Sequence, residues 1–160
     1  MTIQAGDKMP SGVFGVMTDA GPGAISTDEL FNGKKVVLVS VPGAFTPTCS
    51  AKHLPGFVDL FTQINDKGVD TVAFMAVNDI HVMNAWGKDQ NVGDNITMLA
   101  DGNGDYAKAL GLELDGTAFG MGMRGKRFAL IVEDGTAKHV AVEAPGQFEV
   151  STAEAILANL

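Results

Sequence analysis

The run Lys35-Val36-Val37-Leu38-Val39-Ser40-Val41 leads straight into Pro42-Gly43-Ala44-Phe45-Thr46-Pro47-Thr48-Cys49, and this junction decides how the 160-residue chain is read. The first seven residues make a nearly unbroken apolar run, the pattern of a strand buried on both faces. Pro42 ends it, because proline cannot donate to a ladder. Residues 50–65 then have the composition of a helix, and Pro47 can pre-set its first turn. A strand, a tight turn and a helix therefore meet at Cys49. A thiol placed there lies at the positive end of the helix, where backbone N–H groups favour a thiolate.

The same pattern repeats along the chain. Residues 71–77, 96–100 and 127–132 read as further strands, and 80–88 and 105–110 as helices, the last stopped by Gly111. Pro55 should kink or interrupt the helix at 49–65, and Lys67-Gly68 ends it. Residues 6–23 are rich in glycine and read as an N-terminal β-hairpin extension. Ser26-Thr27-Asp28-Glu29 has capping-box spacing for a short helical turn ending near Phe31. Asp134-Gly135 between two apolar runs signals a hairpin joining 127–132 to 137–142. Ser151-Thr152-Ala153-Glu154 opens a final helix to Leu160. Apolar strands alternating with helices predict an α/β fold, a central mixed sheet flanked by helices. The closing antiparallel hairpin and C-terminal helix make the topology thioredoxin-like. Residues 1–160 are expected to form one domain, given their number.

Composition narrows the function. Hydrophobic residues make up 46% and charged residues 19%, which is globular composition. A net charge of -8 argues against a nucleic-acid surface. No apolar run is long enough to span a bilayer. The first seven residues lack the basic and apolar segments of an export signal, so a cytoplasmic protein is expected. One cysteine forms no internal disulfide, which fits a reducing compartment.

Lone cysteines are more often inert packing residues than nucleophiles. Here Pro42, Thr46 and Cys49 share a Pro-x-x-x-Thr-x-x-Cys spacing that favours chemistry. The Thr46 hydroxyl can reach the volume beside the sulfur, although a helix N-cap would also suit it. Pro42 can wall the sulfur from water. A thiolate also wants a cation, and Arg127, at the start of an apolar strand, can project inward to it; Arg124 competes for that role. His53 lies one helical turn after Cys49 and could modulate the thiol, but a surface or packing role is expected for it.

Other patterns do not hold up. Gly120-Met121-Gly122-Met123-Arg124-Gly125 matches a dinucleotide fingerprint but precedes a strand instead of opening a helix. Asp101, Asn103 and Asp105 imitate a calcium loop, yet Tyr106 and Leu112 occupy the glycine and glutamate positions. His53, His81 and His139 have no zinc spacing. No cofactor or metal is expected.

The segment PGAFTPTCSAKHLPGF at 42–57 resembles the active-site segment of peroxiredoxins, and within them the peroxiredoxin-five class with its plant and bacterial type II members. VNDIHVMNAWG at 77–87, GMGMRGKRFALIVEDG at 120–135 and VEAPGQFEVSTAEAIL at 142–157 extend the resemblance over essentially the whole chain. It implies a thiol peroxidase reducing hydrogen peroxide and organic hydroperoxides. Cys49 would be the peroxidatic cysteine, Thr46 the peroxide-holding hydroxyl, Pro42 the shield and Arg127 the active-site arginine. Many relatives carry a second, resolving cysteine; this chain has none. The resemblance therefore implies a one-Cys enzyme whose sulfenic acid is recycled by an external thiol, glutathione with glutaredoxin, or thioredoxin. It also implies a homodimer, with Phe45, Trp86 and the 121–124 loop as contributors. Rival readings are a thiol-disulfide oxidoreductase, disfavoured by the missing Cys-x-x-Cys, a cysteine hydrolase, disfavoured by the lack of a placed histidine base, and a non-enzymatic peroxide sensor or holdase-like protein using the same thiol.

Overall fold

The computed structural model describes residues 1–160. In chain order its strands and helices are β1 (Val13–Thr18), β2 (Gly21–Ser26), α1 (Thr27–Phe31), β3 (Lys35–Ser40), α2 (Leu54–Asp59), α3 (Phe61–Asn65) and β4 (Thr71–Ala76). There follow α4 (Ile80–Asp89), β5 (Ile96–Ala100), α5 (Asp105–Leu110), β6 (Glu113–Asp115), β7 (Met123–Gly125), β8 (Phe128–Glu133), β9 (Thr136–Val142) and α6 (Ala153–Ala158). Seven strands form one sheet in the order β2-β1-β5-β4-β3-β8-β9, and β6 and β7 form a separate pair. β3 runs parallel to β4 and antiparallel to β8, so the sheet is mixed. This is the thioredoxin-like α/β arrangement expected from the sequence.

The central strands are apolar throughout because both of their faces are buried. Val37, Val39, Phe74 and Ala129 point to one face, packed by α2, α3, α4 and α6 with Leu54, Phe57, Trp86 and Ile156. Val36, Leu38, Met75 and Leu130 point to the other, packed by α1 and α5 with Phe31, Tyr106 and Leu110. The N-terminal hairpin is present, and its β1 strand lengthens the main sheet by pairing Gly15 with Ala100 of β5. The capping box of α1 is complete: the Glu29 N–H donates to Ser26 Oγ at 3.1 Å and the Ser26 N–H to Glu29 Oε1 at 3.1 Å. Asp134 and Gly135 both have positive φ, 46° and 77°, as a two-residue hairpin loop requires.

Two expectations need correction. Residues 49–65 are three pieces rather than one kinked helix: a π-helical turn at Cys49–His53, then α2, then α3 after a break at Leu60. Pro55 does not break the helix but sits in the first turn of α2, where its missing N–H does no harm. The wide turn immediately before it closes through a bond from the Leu54 N–H to the Cys49 carbonyl. β6, β7 and the 3₁₀ turn at Thr117–Phe119 between them were not expected from the sequence.

Candidate active site

Cys49 opens the π-helical turn just beyond the carboxyl end of β3, and its side chain is 0% exposed. The register between β3 and β8 pairs Ser40 with Phe128, which sets Arg127 beside the end of β3. From there Arg127 Nη2 donates to Cys49 Sγ at 3.0 Å. A guanidinium is always charged and rigidly planar, so this contact holds a fixed positive charge against the sulfur.

The other arm of the fork is also engaged. Arg127 Nη1 donates to His53 Nδ1 at 2.7 Å. His53 Nε2–H donates to the Ser151 carbonyl at 2.8 Å. These two partners determine the tautomer, with the proton on Nε2 and the lone pair on Nδ1 turned to the arginine. Burial lowers the His53 pKa from 6.5 to about 4; the Ser151 carbonyl opposes the drop, the Arg127 charge adds to it and Glu143 opposes it. The imidazole is therefore neutral at pH 7. Its ring packs against Phe57, Phe74 and Phe148, and the Arg127 guanidinium lies 5.7 Å from the Phe148 ring centroid.

Of the surface or packing role expected for His53, the packing half holds and the surface half does not: it is fully buried among aromatic rings and both ring nitrogens are occupied. The only sequence signal for this was its place four residues after Cys49. Arg124 does not meet the thiol. Its Nε donates to the Met121 carbonyl at 2.9 Å and its Nη1 to the Val77 carbonyl at 3.2 Å, which ties the 121–124 loop to the end of β4.

The turn 42–48 carries the remaining candidates. Thr46 Oγ1 donates to the Gly43 carbonyl at 2.7 Å, so its proton is committed and its lone pairs are left to accept. It is not a side-chain cap; its carbonyl instead accepts the Ser50 N–H at 2.9 Å. Pro42 is half-buried at the start of the turn. Asn78 Oδ1 accepts the Ala44 N–H at 2.9 Å and anchors the middle of the turn. Phe45 has φ 64°, a left-handed conformation that is strained for a bulky residue, and the residue is 51% exposed. Trp86 is 0% exposed and its Nε1–H donates to Ser50 Oγ at 3.0 Å, so it cannot line a surface between two copies as expected. The calcium-like Asp101 is a helix cap, its carboxylate accepting the N–H groups of Tyr106 and Ala107.

The redoxin family model matches residues 4–157. The chain belongs to the redoxin family, as a peroxiredoxin. It is 45% identical to peroxiredoxin-2C of rice over 99% of this chain and 98% of that protein. It is 42% identical to the chloroplastic peroxiredoxin-2E of Arabidopsis thaliana over 99% of this chain and 70% of that one. Its fold superposes on reduced Prx3 of Vibrio vulnificus in complex with hydrogen peroxide with a TM-score of 0.95, at 49% identity and 99% coverage of both chains. Peroxiredoxins are thiol peroxidases, and this one has a single cysteine with which to work.

Proposed function

We propose that Cys49 is the peroxidatic nucleophile and that Arg127, Thr46 and Pro42 form its site. The contact from Arg127 Nη2 to Cys49 Sγ at 3.0 Å carries this reading. The thiolate attacks the terminal oxygen of a hydroperoxide. The S–O bond forms as the O–O bond breaks, leaving Cys49 as a sulfenic acid and releasing an alkoxide, or hydroxide, that takes a proton from water. Thr46 accepts a hydrogen bond from the peroxide hydroxyl. Arg127 and the backbone N–H groups of the turn stabilise charge on the departing oxygen. Pro42 limits the water that reaches the sulfur. Hydrogen peroxide and organic hydroperoxides are the substrates; the Vibrio vulnificus relative was captured with hydrogen peroxide.

No second cysteine is available to resolve the sulfenic acid. An external thiol condenses with it, releasing water and leaving a mixed disulfide, and a second thiol then regenerates Cys49. We assign that reductant as glutathione with glutaredoxin, thioredoxin being the alternative. The 160 residues act as one redoxin domain in the cytoplasm, and no helix is long and apolar enough to cross a membrane. A homodimer through Phe45 and the 121–124 loop fits the exposed side chains of Phe45 and Met123.

The deciding measurement is intact mass after one equivalent of hydrogen peroxide. Gain of one oxygen at Cys49, reversed by glutathione, is the expected result. Cys49→Ser should remove peroxide turnover while leaving the fold intact; retained turnover would falsify the assignment.

A further inference from the structure

Glu143 follows directly after β9 and is only 7% exposed. It forms no ion pair with Arg127, although its own N–H donates to the Arg127 carbonyl at 3.0 Å. Its carboxylate instead turns to the loop at 144–151. It accepts the N–H groups of Glu149 at 2.9 Å, Val150 at 2.9 Å and Ser151 at 2.8 Å, and the Ser151 hydroxyl at 2.7 Å. A buried carboxylate is costly unless it is fully satisfied, and this one is satisfied by a single loop. The closed loop presents two groups to the His53–Arg127 pair. The Ser151 carbonyl accepts from His53, whose other nitrogen accepts from Arg127. The Phe148 ring packs on His53 and lies beside the guanidinium.

We propose that Glu143 is a positioning residue for peroxide reduction: by closing the 144–151 loop it holds Ser151, Phe148 and His53 in the arrangement that aims Arg127 at Cys49. This rests on the reading that Arg127 activates Cys49. Arg127 carries a rigid, planar fork on a long stem with several rotatable bonds. Its carbonyl is fixed by the Glu143 N–H, and its fork is fixed through the loop that the Glu143 carboxylate closes. One residue therefore constrains the arginine at both its backbone and its head group. Removal of the carboxylate charge leaves the backbone bond intact and releases only the head group.

A double-mutant cycle tests this, with stopped-flow rate constants for Cys49 oxidation by hydrogen peroxide in wild type, Glu143→Gln, Arg127→Lys and the double variant. Circular dichroism and a urea midpoint confirm that each variant is folded. Glu143→Gln is expected to slow oxidation by about 10- to 100-fold, the scale on which misplacement of a catalytic group acts. In the Arg127→Lys background the same change should slow it no further. A folded Glu143→Gln variant with the wild-type rate, or an equal slowing in both backgrounds, overturns the proposal, because Glu143 would then act elsewhere or not at all. A wild-type rate in Arg127→Lys alone would instead overturn the underlying role of Arg127. Should Glu143→Gln not fold, Ser151→Ala removes only the hydroxyl donor and enters the same cycle. It is expected to slow oxidation in the wild-type background and not in the Arg127→Lys background; an unchanged rate, or equal slowing in both, overturns the proposal.

Discussion

Arg124 and Arg127 stand three residues apart, and their different roles follow from where their hydrogen bonds end. Arg127 divides its fork between a sulfur and an imidazole nitrogen. Arg124 spends its donors on two backbone carbonyls, those of Met121 and Val77. Arg127→Ala should therefore slow Cys49 oxidation by about 100-fold or more, the scale of losing one preorganised charge-stabilising donor. Arg124→Ala should act mainly on stability, at about 1 kcal/mol for each hydrogen bond lost. Stopped-flow oxidation beside urea denaturation separates the two effects, and slower oxidation in Arg124→Ala than in Arg127→Ala would show that the wrong arginine had been chosen. The resemblance singled out Arg127, but residue type and spacing alone left Arg124 as a competitor, because each precedes or opens a strand. The pairing of Ser40 with Phe128 brings Arg127, not Arg124, to the sulfur, and it is a property of the folded sheet.

At the scale of elements, the π-helical turn at Cys49–His53 poses a problem of access. The sulfur is 0% exposed, so neither a peroxide nor a larger thiol reaches it without local opening, and the larger thiol needs the wider one. The turn must open for resolution. Trp86 on α4 pins it through the bond from Nε1–H to Ser50 Oγ. Trp86→Phe keeps a large apolar ring and removes that bond, so it should cost about 1 kcal/mol of stability. If the bond is lost on opening, the open population rises about fivefold. Glutathionylation of the sulfenic acid should then speed up by a similar factor, read by quenched-flow mass spectrometry; an unchanged rate in a folded variant would mean that the turn opens without disturbing Ser50. Elements with strong local signals were legible in the sequence: the continuous apolar β3 and β4, the Asp134-Gly135 hairpin, the capping box at Ser26. The three-residue strands β6 and β7 carry no period, so nothing marked them. Cys49, Thr46 and Pro42 are close in sequence and could be read together. His53, Ser151 and Glu143 could not, since the His53 contacts to Ser151 and Arg127 span 98 and 74 residues.

For the whole molecule, the groups that serve the site also set its tolerance of acid. In the folded protein burial holds His53 at about 4, against 6.5 when exposed. The unfolded chain therefore binds more protons between these values, and the stability this histidine contributes above pH 6.5 is lost as pH falls towards 4. The shift corresponds to about 3 kcal/mol, a large part of the stability of an ordinary domain. Glu143 acts in the same direction at lower pH. Burial raises its pKa, but hydrogen bonds from the Ser151 hydroxyl and from the N–H groups of Ser151, Glu149 and Val150 outweigh that and bring it below 4.5. Its contribution is present above 4.5 and is lost as pH falls through the lowered value. Protonation of His53 also removes the lone pair that receives Arg127 and sets two cations side by side. Stability measured by urea denaturation at pH 7, 5.5 and 4.5 should fall steadily, whereas His53→Gln, which has no proton to gain in this range, should give a flatter profile from a lower starting point. Parallel profiles for the two proteins would show that the acid sensitivity arises from other groups.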